Sequence, residues 1–67
     1  MSVAKVIELS SSSPRGIEDA VQKGLAKVSQ TVQNVKGAWI NDIKVSTGAD
    51  GSIIEWRVNM RVNFIVD

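Results

Sequence analysis

The side chains best suited to chemistry in this chain lie near its end. Arg57, Asn59, Arg61 and Asn63 recur at every second position, a spacing that places all four on one side of a strand. Such a row hydrogen-bonds anions if it lines a cavity, and is the wet side of a sheet if it faces water. Trp56 belongs to the opposite, apolar parity and is expected in the core or at a subunit contact. Turnover chemistry has little to work with. The 67 residues contain no histidine and no cysteine, which removes the usual base and nucleophile. No carboxylate pair is placed by spacing alone. The chain reads as a protein that binds, not an enzyme.

The elements that must position these groups follow from periodicity. Val3 to Leu9 is rich in β-formers and reads as a first strand. Ser13 before Pro14 suits a helix N-cap followed by the first helical position. Ile17, Val21, Leu25, Val28, Val32 and Val35 then step by four, four, three, four and three, one stripe of an amphipathic helix. Glu18 and Asp19 suit its start and Lys36 its end, with Gly37 as the stop.

Ala38 to Thr47 reads as a second strand with imperfect alternation, since Trp39, Ile43 and Val45 share a parity with Asn41. That mixing suggests a bulge, or a strand with interfaces on both faces. Gly48-Ala49-Asp50-Gly51-Ser52 is a turn. Ile54, Trp56, Val58, Met60, Val62, Phe64 and Val66 then alternate with polar positions in a long last strand. The expected fold is a single α+β domain over residues 1–67, with β-α-β-β order. One amphipathic helix packs on a three-stranded antiparallel sheet.

A chain of this size has room for one small core, and usually needs disulfides, a metal or self-association to be stable. Without cysteine or histidine there is no disulfide and no thiolate metal site, and no EF-hand spacing is present. Self-association is what remains, and the last strand supports it. At about 3.3 Å per residue it spans ~40 Å, more than a crossing helix covers, so an uncovered end invites a partner chain. The net charge of +1, spread along the chain, argues against a nucleic-acid arm or a charged membrane segment. Lys44, Arg57 and Arg61 alone would support a nucleic-acid or acidic partner, the weakest reading. Met1-Ser2-Val3-Ala4-Lys5 shows no long apolar stretch, so neither a signal peptide nor a membrane span is expected. A soluble, cytoplasmic protein is the plain expectation.

Three stretches carry a resemblance to a known family. They are Val6-Ile7-Glu8-Leu9 with Ser12-Ser13-Pro14-Arg15-Gly16-Ile17-Glu18-Asp19-Ala20-Val21, then Thr31-Val32-Gln33-Asn34-Val35, then Trp56-Arg57-Val58 through Arg61-Val62-Asn63-Phe64. In this order, over essentially the whole chain, they resemble the dodecins, small flavin-binding proteins of bacteria and archaea. The resemblance implies a hollow, roughly spherical homododecamer, helices outside and sheets lining the interior. It also implies flavins held in stacked pairs by a tryptophan at the start of the second strand and a glutamine in the third. The implied role is storage and sequestration of a flavin such as riboflavin, FMN or lumichrome.

Both of those positions differ here. The stacking tryptophan falls on Gly37 and the glutamine on Arg57, while Trp39 stands two residues after the glycine. In one reading Trp39 supplies the ring from one step along the same face, Gly37 leaves room beside it, and Arg57 donates to a flavin carbonyl or phosphate. In the other, Trp39 packs at a subunit contact and Arg57 pairs with Glu55 or Asp42. The cage would then have lost its flavin and would serve as a scaffold, or hold another small anion or a metal ion. Asp42 matches an acidic family position found near bound ions and is the candidate metal ligand.

Overall fold

A computed structural model describes residues 3–66. Met1 and Ser2, part of the segment read above for a targeting signal, lie outside the described residues. The elements are β1 (Val3–Ser13), α1 (Ile17–Ser29), β2 (Val35–Thr47) and β3 (Ile53–Val66). They form one antiparallel sheet in the order β1-β3-β2. The expected β-α-β-β subunit is therefore what the chain adopts. No described helix is long and apolar enough to cross a membrane.

The alternation of β3 decides what lies between the layers. Val58, Met60 and Val62 face α1 and are at most 1% exposed, and Ala20 on the helix is equally buried. Gly24, one helical turn beyond Ala20, lets the layers approach closely. A Cβ there would meet the Met60 methyl group, with Leu9 Cδ1 and Ser11 Cβ each 3.1 Å away. Because α1 seats on these small residues, Val21, Leu25 and Val28 of the expected stripe form a half-buried rim.

Three boundaries differ from the sequence reading. β1 continues through the serines to Ser13, each paired with β3 from Ser10↔Asn59 to Ser13↔Trp56. Pairing overrides the weak β-propensity of serine, and Ser11 is small enough to sit beneath Gly24. Ser13 is consequently not the N-cap. It is buried, its hydroxyl donates to the Asp19 carboxylate, and its oxygen accepts from the Arg15 N–H at 3.0 Å. The residue before the helix is Gly16, whose φ of 148° suits a glycine.

The helix also ends early. The Val32 N–H still bonds the Val28 carbonyl at 2.9 Å, but Asn34 then takes a positive φ of 62°. Its carbonyl accepts from the Ile65 N–H at 3.1 Å, and Val35 opens β2 opposite Phe64. The spacing of Val32 and Val35 fits a helix, but the chain turns at Asn34, which leaves Val32 in the connection and Val35 paired with Phe64 of β3, where a β-branched residue fits well. Lys36 thus lies in β2, and Lys27 is the basic residue of the helix's last turn.

The disordered alternation of β2 resolves through bulges. Register shifts fall between Val35 and Gly37, between Ile40 and Asp42, and at Ser46/Thr47. The extra residue Asn41 moves Ile43 and Val45 onto the α1 side with Ala38 and Ile40, and sends Asp42 and Lys44 to the other side with Trp39.

Candidate functional site

The face of the sheet turned away from α1 carries the polar row of β3 as its spine. The strand pairings set its neighbours in cross-strand rows. Asn63 stands between Val6 and Gly37, Arg61 between Glu8 and Trp39, Asn59 between Ser10 and Asp42, and Arg57 between Ser12 and Lys44. Gly37 and Trp39 thus share this face, as their spacing requires. All four candidates named from sequence, Gly37, Trp39, Asp42 and Arg57, lie on it.

They do not converge on one point within a subunit. Trp39 is 58% exposed and lies opposite Arg61, not Arg57. Arg57 is two pairings further along, about 13 Å by strand rise. Its terminal nitrogens are already engaged, one donating to the Ser10 hydroxyl at 3.3 Å and the other 3.5 Å from the Glu55 carboxylate. Asp42 accepts from the Asn59 amide at 2.9 Å. Among the described residues there is no cluster of three or more His, Cys, Asp or Glu side chains. Asp42 therefore stands without further acidic ligands of this kind beside it among the described residues.

Two open hollows of about 390 and 670 Å³ share Glu8, Asn41 and Arg61 along their borders. The larger is bordered by Trp39 and Val6, the smaller by Asp42 and Asn59. Arg61 stands between them with its Nε 3.4 Å from the Glu8 carboxylate. Sequence reasoning placed Arg61 on the polar parity but could not pair it with Trp39. That pairing depends on the bulges of β2, which alternation hints at without locating.

The electrostatics of this face are balanced, with Lys44, Arg57 and Arg61 against Glu8, Asp42 and Glu55. A wall of this kind suits small polar ligands over polyanions. A perturbed carboxylate lies on the other side of the sheet. Asp19 is held below the usual carboxylate range, first by the Ser13 hydrogen bond and then by Lys23, whose ammonium is 3.2 Å away.

Comparison with known proteins places the chain. The dodecin family model matches residues 3–67. The chain belongs to the dodecin family. A Thermus thermophilus dodecin variant superposes with a TM-score of 0.92 at 28% identity, covering 100% of this chain and 98% of that one. The Streptomyces davaonensis dodecin gives 0.90 at 29% identity, with coverage of 98% and 96%. A Mycobacterium tuberculosis protein described as a calcium dodecin shares the fold, at 0.82 and 23% identity, with coverage of 97% and 91%. A search of curated proteins found no match.

Proposed function

We propose that this chain assembles into a hollow homododecamer that binds and sequesters a flavin or a similar planar ring. It acts in the cytoplasm as a binding protein without a turnover reaction, and engages neither nucleic acid nor membrane. One observation carries the ligand reading. Trp39 presents an exposed indole on the polar sheet face, bordering the same hollow as the exposed Val6, and this apolar surface is one that a ring or a second subunit would cover. Stacking on Trp39 supplies the affinity, and Gly37, two residues earlier on the same face, leaves space beside the ring. Arg57, about 13 Å along the face, suits the ribityl or phosphate end of a ligand.

Family membership supports the assembly, and so does the apolar surface left bare on β2. α1 lies over β1 and β3 and barely reaches β2. Ile40, Ile43 and Val45 on the α1 side of β2 remain 43%, 49% and 39% exposed, and Ile54 near the hairpin tip 56%. Copies of the chain are the natural cover.

Titrating the purified protein with riboflavin, FMN and lumichrome tests the ligand. Flavin fluorescence is expected to fall at micromolar protein, and Trp39→Ala to lose most of the effect, since ring stacking is worth about 1–3 kcal/mol. Unquenched fluorescence with all three would reject the reading.

The contacts of Arg57 and Asp42 also suit a different ligand. Arg57 and Asp42 already have partners in Glu55 and Asn59, as expected of a cage that has given up its flavin. Such a cage holds another small anion, or a cation on Asp42 carboxylates from several subunits, and the calcium named for the mycobacterial relative fits that use. It would yield a colourless assembly that ignores flavins and is stabilised against heat by calcium.

A further inference from the structure

We infer that Arg61, not Arg57, is the cationic donor to the polar edge of a ring stacked on Trp39. This rests on the flavin reading above and assigns a residue to the site that the family pattern does not supply.

The assignment follows from register and from how the two arginines are used. Arg61 and Trp39 are cross-strand partners, which places their Cβ atoms about 4.5–5.5 Å apart on one face. A ring lying on the indole therefore has the guanidinium at its edge. Arg57 would have to reach back two pairings to touch the same ring.

Availability separates them further. Arg57 uses one terminal nitrogen on Ser10 and has the other near Glu55. Glu8 approaches Arg61 at Nε, and among the described residues the terminal nitrogens of Arg61 make no hydrogen bond. Glu8 thus flanks the guanidinium from the β1 side, and the outer edge of the planar group stays open to the hollow. Arg61 borders both hollows, where a carbonyl at the rim of a stacked isoalloxazine would lie. The chemistry is that of the glutamine implied by the family, an N–H donated to a ring carbonyl, but with a charged donor. A charged donor favours rings that carry or develop negative charge at that edge.

The test is riboflavin titration of the assembled protein as wild type and as Arg61→Gln, Arg61→Lys, Arg57→Gln and Trp39→Ala, with light scattering on each. Arg61→Gln is expected to weaken riboflavin binding about tenfold or more, and by more than Arg57→Gln. The absorption spectrum of the bound flavin should shift, since a donor at a ring carbonyl perturbs the chromophore and a merely structural arginine does not. Arg61→Lys keeps the charge and protects the experiment if Arg61→Gln fails to assemble. It is expected to bind with intermediate affinity and a shifted spectrum. Wild-type affinity and an unchanged spectrum in the Arg61 variants, with binding lost in Trp39→Ala, would overturn the role of Arg61 and leave the flavin reading standing. A larger loss in Arg57→Gln than in Arg61→Gln would also overturn it. Absence of quenching by the wild type would remove both.

Discussion

Two groups of apolar side chains lie side by side on one face of this sheet, paired in register, and meet opposite fates. Val58 and Met60 on β3 are buried, while their partners Ile43 and Ile40 on β2 are 49% and 43% exposed. Sequence chemistry does not distinguish the two groups; what covers them does. α1 is 13 residues long, about 20 Å, and sits over β1 and β3 where Gly24 and the serines let it come close. β2 receives no such cover. The subunit thus has half a core, and the other half is complete only when copies of the chain meet.

Substitutions on the two strands should separate the covered apolar group from the bare one. Ile43→Asp adds a charge where a partner chain is expected but where the subunit itself leaves room. Light scattering should show the assembly replaced by small species, and an unaltered mass would mean the β2 surface is free. Met60→Ala removes packing that the subunit completes alone, and should cost about 2–5 kcal/mol in denaturant unfolding. Gly24→Ala tests the close approach of α1 to β1 and β3. Overpacking against Met60, Leu9 and Ser11 should outweigh the gain in helix propensity, for a net loss of about 1–2 kcal/mol.

A smaller effect is expected at the strand-to-helix corner. Ser13→Ala removes a buried hydroxyl that bonds both Asp19 and the Arg15 N–H, a loss of about 1 kcal/mol. Its pH signature has a definite sign. The Asp19 carboxyl is held below its usual range when folded, so the unfolded chain takes up the proton at higher pH. The stabilisation is complete above the ordinary carboxylate range and is lost as pH falls through the depressed value. Asp19→Asn should flatten that part of the stability curve, and an unchanged acid slope would show that the corner contributes nothing.

The subunit was largely legible because its signals are local and strong. The β3 alternation, the stripe Ile17–Val21–Leu25–Val28 and the Asp50-Gly51 turn each specify their element without help from the rest. The differences fall where tertiary pairing overrode local preference: serines drawn into β1, Val35 drawn out of the helix and into β2, and Ser13 turned from cap to buried corner. The site was legible as a list of residues but not as an arrangement. Gly37, Trp39, Asp42 and Arg57 do share a face, yet which arginine meets Trp39 depends on Asn41 being the extra residue of a bulge. No pattern in the sequence gives Asn41 that role over its neighbours.

Assembly and ligand binding come together in one measurement, native mass spectrometry of the purified protein with and without riboflavin. A dodecamer is expected in both samples, gaining whole-number increments of riboflavin that disappear in Trp39→Ala. A monomer, or a dodecamer whose mass is unchanged by riboflavin, would contradict that expectation.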